Sequence, residues 1–202
     1  MKLYYSKGTC SLAPRIVIHE LQLSCSFEAV NLTTKKTETG ADFLNINPKG
    51  SVPALELDNG TILTENLVIQ QYLADTFNGQ HLLPPLGNFN RYRVLEWLSF
   101  ASSDLHKSFG PLFNPEIPTT LKDSVFKPLL FKRLSYLDTH LAQSKYLVGN
   151  EFTLPDAYVF VTLTWLHYFH IALEEWPHLQ HYFERIKQRD SVIKALTEEG
   201  LT

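Results

Sequence analysis

The sequence predicts an α/β N-terminal domain of order βαβ-ββα followed by an all-helical C-terminal domain, and three features of its patterning carry that expectation. Up to residue 78, short β-prone runs alternate with stretches of helical periodicity. Residues 78–88 then hold two Gly and two Pro among polar side chains, the composition of a linker. Beyond them the apolar residues keep helical spacing, and no convincing strand pair occurs. The boundaries drawn from these shifts are 1–78 for the first domain, 79–87 for the linker and 88–202 for the second. A chain of 202 residues is long for one minimal domain and short for two large ones, which agrees with a smaller domain joined to a larger one.

Lys2 to Tyr5 is a short β-prone run, and Ser6-Lys7-Gly8-Thr9 carries turn residues into an apolar-periodic stretch over 12–21. Ser11 is placed as the N-cap of that helix; Pro14 is tolerated in its first turn, where backbone N–H groups lack intrahelical partners. A second strand is expected over 27–32, then a polar segment over 33–40, then a short helix over 42–46 that stops at Asn47-Pro48-Lys49-Gly50. Strands at 53–57 and 61–63 flank Asp58-Asn59-Gly60, and Asn-Gly between apolar strands is a strong hairpin signal. A helix over 65–77, with Leu67, Val68, Gln71, Tyr72 and Ala74 at helical spacing, closes the domain. In the second domain, helices are expected at 89–108, 121–142, 153–170 and 176–189, broken by 110–120 and by Tyr146-Leu147-Val148-Gly149. Thr153-Leu154-Pro155-Asp156 fits a capping box, with Asp156 in place of the usual Glu or Gln, and reads as the start of the buried helix of that domain.

Composition narrows the function classes. With 44% hydrophobic and 19% charged residues the chain is globular in composition, which argues against disorder. A formal charge of −3, with Lys and Arg spread along the chain, leaves no basic stripe for nucleic acid. No apolar stretch is long enough for a signal peptide or a membrane span, so a cytoplasmic location without membrane attachment is expected. The two cysteines, Cys10 and Cys25, show neither CxxC spacing nor the His/Cys spacing of a zinc site. No metal and no disulfide framework are expected, and any cysteine chemistry rests on a single thiol.

Cys10 falls at the start of the first helix. Thiolate rather than thiol attacks electrophiles and disulfides, and a helix N-terminus favours the thiolate through its partial positive charge and free N–H groups. Position therefore allows Cys10 to be reactive or simply a small apolar residue. Cys25 lies in Leu23-Ser24-Cys25-Ser26 with no helix start and no basic neighbour, and reads as inert.

The run from Met1-Lys2-Leu3-Tyr4-Tyr5 to Cys10-Ser11-Leu12-Ala13, then Asn47-Pro48-Lys49-Gly50-Ser51-Val52-Pro53-Ala54-Leu55, Leu63-Thr64-Glu65 and Gln71-Tyr72-Leu73-Ala74-Asp75 form an ordered set of motifs. Arg91-Tyr92, Glu96-Trp97-Leu98, Leu105-His106-Lys107, Phe152-Thr153, Asp156-Ala157-Tyr158 and Glu199-Gly200-Leu201 continue it. Their order and separations resemble bacterial beta-class glutathione transferases over essentially the whole chain. The resemblance implies a thioredoxin-like N-terminal domain that binds glutathione as co-substrate, a helical-bundle C-terminal domain, and a homodimer.

Residue by residue, it implies that Cys10 and His106 are catalytic and that the Val52-Pro53 peptide is cis. The Val52 backbone then pairs with the cysteinyl backbone of glutathione like one rung of a β-ladder. It implies that the Glu65 carboxylate meets the γ-glutamyl amine, and that Asn66 with the helix-start N–H groups meets the adjacent carboxylate. Ser or Gly is common in the family where Asn66 stands. Glu65 also complements the helix dipole in its own right. Lys35 matches a family lysine that meets a glutathione carboxylate as a point charge; without the resemblance it reads as a solvated surface lysine.

Ser99, Ser103 and His106 are spaced by four and three, hence share one helix face. The resemblance implies that His106 approaches the thiol site and that Ser99 and Ser103, Asp104, Leu105 and His106 touch glutathione, partly across a dimer interface. Ser99 replaces an Asn found in some relatives. Phe109, Phe113 and Trp165 take the positions of the hydrophobic acceptor pocket, and each reads equally as core.

The function expected is a detoxifying transferase that conjugates glutathione to hydrophobic electrophiles, with glutathione-dependent thiol–disulfide exchange through Cys10 as a further reaction. Tyr5 and Ser11 are alternative thiolate donors, ranked below Cys10. The rival from another class is a non-catalytic regulatory or binding protein on the same scaffold, which would not be held by a glutathione resin.

Overall fold

Five short strands pair into one mixed sheet in the N-terminal part of the chain. The structure is a computed structural model that describes residues 1–201. β1 (Lys2–Tyr5) leads through a turn into α1 (Leu12–Glu20), and β2 (Ser26–Asn31) returns parallel to β1, with Leu3 opposite Phe27. β3 (Lys36–Thr37) lies antiparallel to β2 at the sheet edge. α2 (Phe43–Ile46) is capped by the Asp42 carboxylate, which accepts the Leu44 N–H at 3.1 Å. β4 (Ala54–Glu56) pairs antiparallel with β1 and with β5 (Ile62–Thr64), and α3 (Asn66–Thr76) follows. The order across the sheet is β3-β2-β1-β4-β5. The expected βαβ-ββα succession is present, with β3 added inside the segment read only as polar. Two polar-flanked residues are too few to show strand alternation in sequence.

Tyr4, Val30, Val52 and Ala54 form a core cluster with Phe43 of α2. Side chains alternate along a strand, so the fully buried Leu3 and Leu55 point to the opposite face. There α3 packs on β4, and α1 on α3.

α10 (Asp190–Glu198) buries Ser191, Val192, Ala195 and Leu196 and packs on α1. The chain therefore divides into one unit of Met1–Leu83 with the residues from Gln188 onward, and a second of Pro84–Lys187. This differs from the expected single helical domain over 88–202, and α10 itself was not expected from the sequence. Periodicity reports that a helix has an apolar face; it does not report which partner covers that face.

In the second unit α4 (Phe89–Phe100) continues through a π-helical segment, Ala101–His106, into α5 (Lys107–Phe113). The break expected over 110–120 is narrower and starts later: Pro111 lies inside α5, the chain leaves the helix at Asn114, with ψ 116°, and α6 begins at Thr119. α6 (Thr119–Leu121) and a second π-helical segment, Lys122–Phe126, lead into α7 (Lys127–Leu141). α8 (Leu154–Thr164) is followed by a 3₁₀ segment, Trp165–Phe169, and α9 (Pro177–Lys187) packs on α7 and α8.

Every residue of α8 from Leu154 to Leu163 is buried, as befits a helix apolar around its circumference. The capping box expected at its start is present. Fully buried Asp156 accepts the Thr153 N–H and hydroxyl on Oδ2, each at 2.8 Å, and the Leu147 N–H at 3.0 Å and Tyr182 hydroxyl at 2.8 Å on Oδ1. Burial pushes its carboxyl above the usual range, and those donors act against that shift. The group joins the 146–149 turn, the start of α8 and α9. Asp156→Ala strands several buried donors at once, so it should lower unfolding free energy by on the order of 3 kcal/mol in denaturant titration. A loss within about 0.5 kcal/mol, the range of ordinary surface changes, would contradict this account of the network.

Candidate active site

The turn between β1 and α1 is built by small hydroxyl side chains. Thr9 Oγ1 donates to the Ser6 carbonyl at 2.8 Å, and Ser11 Oγ accepts the Ser6 N–H at 3.1 Å and lies 2.8 Å from Thr9 Oγ1. Gly8 takes φ 69°, which a side chain would disfavour. Ser11 occupies the cap position, but with helical backbone and without a side-chain cap bond, because its hydroxyl is turned back to Ser6. It is fully buried, which removes it as a thiolate donor. Cys10 stands one residue earlier, half-buried, with its carbonyl accepting the Ala13 N–H at 3.1 Å and its Sγ donating toward the Val52 carbonyl at 3.4 Å. The Val52–Pro53 peptide is cis.

Behind the turn the C-terminal segment contributes a carboxylate that the sequence placed in a motif without a role. Glu199 Oε2 accepts the Gly8 N–H at 2.8 Å. Its Oε1 lies 3.6 Å from Nε of Arg15, whose buried guanidinium sits 4.0 Å from the ring centres of both Tyr5 and Phe27. Burial pushes the Glu199 carboxyl up, against the Gly8 N–H and the Arg15 charge.

α3 begins beside Cys10. Asn66 is buried, donates from Nδ2 to the Cys10 carbonyl at 2.6 Å and accepts from Gln70 Nε2 at 2.6 Å. Its amide is thus engaged inward, and what α3 presents outward is the backbone N–H groups of its first turn. Glu65 has φ 74° and ψ 118°, an uncommon conformation for a residue with a side chain, and its exposed carboxylate pairs with Lys49, to which sequence reasoning assigned no site role. Lys35 Nζ donates to the Gly50 carbonyl at 2.7 Å. Gly50 takes φ 62°, which favours glycine, and a Cβ there would press on the side-chain ends of Leu44 and Lys35, at 3.1 Å from Cδ2 and 3.3 Å from Cε. Cys10, Val52, Pro53, Glu65 and Asn66 therefore belong to one unit and are linked by these bonds and the chain, and Lys35 of the same unit reaches them through Gly50 and its chain neighbours Lys49 and Ser51. Cys25, by contrast, donates to the Ser26 carbonyl at 3.3 Å, and burial pushes its thiol up.

In the second unit the π-helical segment changes which residues share a face. A wider turn shifts the angular phase of everything after it, so the four-and-three spacing of Ser99, Ser103 and His106 no longer aligns all three. Ser103 Oγ stands within donor reach of the Ser99 carbonyl at 2.9 Å and of Asp104 Oδ2 at 2.8 Å, with Ser99, Ser103 and Asp104 exposed. The Leu105 side chain is core. His106 is half-buried, with Nδ1 2.7 Å from the Tyr158 oxygen and its ring edge-on to Trp165 at 4.8 Å. Phe109 and Phe113 pack edge-to-face on the same indole, at 5.4 and 6.0 Å. Phe109 and Trp165 are buried, whereas Phe113 is 48% exposed, so only Phe113 presents much ring surface to solvent. Phe169 and Tyr168, which sequence reading did not include, extend the cluster from Phe113 at 4.8 and 5.9 Å.

Among the described residues, no group of three or more His, Cys, Asp or Glu is placed to hold a metal ion. No described helix is long and apolar enough to cross a membrane.

Residues 9–76 match the family described as Glutathione S-transferase, N-terminal domain, and residues 100–190 that described as Glutathione S-transferase, C-terminal domain. The chain is 41% identical over 201 residues to the Glutathione S-transferase GstA of Escherichia coli O157:H7, covering 100% of both proteins. It is similar to the crystal structure of a glutathione transferase from Methylococcus capsulatus, with 49% identity and a TM-score of 0.96 over 100% of this chain and 99% of that one. A sphingomonad glutathione S-transferase solved in complex with glutathione is 42% identical, with a TM-score of 0.95 over 100% of both chains.

Burial, with the Lys107 charge adding to it, pulls the His106 imidazole down to about 4 from its ordinary 6.5. An NMR titration should place its midpoint near pH 4. Because the unfolded chain takes up this proton near 6.5 and the folded chain resists it, the His106 contribution to stability is present above 6.5 and is lost as pH falls toward 4. A midpoint at or above 6.5 would contradict this environment.

Proposed function

Because the chain belongs to the glutathione S-transferase family, we propose that it binds glutathione at the starts of α1 and α3 and transfers it to hydrophobic electrophiles in the cytoplasm, a detoxifying reaction. Glutathione-dependent thiol–disulfide exchange through Cys10 is the second reaction of the same site. One observation carries the reading: the Cys10 thiol lies 3.4 Å from the Val52 carbonyl while its own carbonyl is tied at 2.6 Å to the first residue of α3. A thiol, a main-chain hydrogen-bonding edge and a helix N-terminus are the three groups a tripeptide with a central cysteine and two carboxylates calls for.

In conjugation, the bound glutathione thiolate attacks the electrophilic carbon, a carbon–sulfur bond forms, and the leaving group departs with its electron pair. In exchange, the Cys10 thiolate attacks the glutathione sulfur of a mixed disulfide and the other thiolate leaves. A second glutathione thiolate then attacks that sulfur, giving oxidised glutathione and restoring Cys10. Glu65 receives the γ-glutamyl ammonium in place of Lys49, Lys35 and the α3 N–H groups receive carboxylates, and the Asn66 side chain acts by holding Cys10. The resemblance assigns glutathione contacts to Ser99, Ser103, Asp104, Leu105 and His106, and the acceptor pocket to Phe109, Phe113 and Trp165. At neutral pH His106 is uncharged and acts through a hydrogen bond.

Glu65→Gln should weaken retention on a glutathione resin, because the ligand ammonium loses its charged partner. Unchanged retention with a native circular dichroism spectrum would remove that role. Cys10 should react with iodoacetamide faster than Cys25 and gain one glutathione from oxidised glutathione by intact mass. Cys10→Ala should abolish disulfide reduction and leave part of the chlorodinitrobenzene conjugation; an adduct mapping to Cys25 would make Cys10 structural. The chain is expected to form a two-fold homodimer, and sedimentation showing only monomer at micromolar concentration would remove the assembly.

A further inference from the structure

We propose that Tyr158 is a positioning residue for His106, fixing its ring and holding its proton on Nε2. The inference rests on the reading of His106 as a site residue and adds what makes that histidine usable. A neutral imidazole has one N–H and one lone pair, so the nitrogen that carries the proton decides whether the remaining edge donates or accepts. Four observations bear on the choice. Nδ1 of His106 is 2.7 Å from the Tyr158 hydroxyl oxygen, a short bond for this pair. Tyr158 is 2% exposed and sits on the buried α8, so its oxygen cannot wander. The Trp165 indole stands edge-on to the imidazole at 4.8 Å and 70°, blocking rotation of the ring. Phe109 and Phe113 brace that indole in turn.

The imidazole lone pair is a far stronger acceptor than a phenol oxygen, and a phenol hydroxyl is a good donor. The bond is therefore O–H···Nδ1, which leaves the imidazole proton on Nε2. His106 then offers a fixed N–H, suited to a thiolate or another anion and unsuited to accepting a proton at that nitrogen. This assigns the histidine as a hydrogen-bond donor rather than a general base. The geometry belongs entirely to the second unit, which carries both residues.

The test is nitrogen-15 NMR of the histidine side chains in the native chain and in Tyr158→Phe, with the His106 signals assigned by their loss in His106→Ala, beside steady-state conjugation of chlorodinitrobenzene. The account expects a single Nε2–H tautomer in the native protein and a mixture in Tyr158→Phe. It also expects kcat of that variant to fall about tenfold while KM for glutathione changes less than about twofold. A native Nδ1–H tautomer overturns the proposal, as does a Tyr158→Phe protein that keeps both the native tautomer and kcat. Full conjugation by His106→Ala, with the tautomer still lost in Tyr158→Phe, would remove His106 from the reaction and leave Tyr158 as the group that fixes it.

Discussion

The geometry of the first unit turns on the bond between the Asn66 amide and the Cys10 carbonyl. A buried amide must find partners, and Asn66 finds them in Cys10 on one side and Gln70 on the other, each at 2.6 Å. This joins the start of α3 to the start of α1, so two helix N-termini, both carrying partial positive charge, converge on the same place. Held apart from anions, two like ends gain nothing from being neighbours. With an anionic peptide between them, both become assets, and the thiol already stands there.

The turn that carries Cys10 is held from behind as well. Gly8 donates to Glu199, and Glu199 faces an Arg15 guanidinium packed between two aromatic rings. The last helix therefore belongs with the first unit for a reason that concerns the site: its end supplies the acceptor for a backbone N–H in the Cys10 turn. The hydroxyl bonds of Ser6, Thr9 and Ser11 tighten the same turn locally. Chain end and chain start act on one thiol.

Much of this was legible in sequence because it is local. The strand, turn and helix around Cys10, the hairpin at Asn59-Gly60 and the Thr153–Asp156 box each depend on neighbours within a few residues, and each is found near its expected place. What escaped depends on distant partners or on irregular geometry. Glu199 acts on Gly8 from the far end of the chain, and Asn66 turns inward because Cys10 and Gln70 offer it partners. The π-helical segment at Ala101–His106 has no composition of its own, so face arithmetic based on the ordinary helix misaligned Ser99, Ser103 and His106. Gly110 and Pro111 read as a break because their intrinsic preferences oppose helix, and tertiary packing overrode them.

The central claim is that glutathione is held where the starts of α1 and α3 are tied together. Amide chemical-shift mapping on the full chain with added glutathione tests it without relying on turnover. The account predicts saturable shifts that are largest at Cys10, Val52 and the first turn of α3 from Glu65 to Val68. Saturable binding that leaves those amides unmoved and shifts a different set would contradict it.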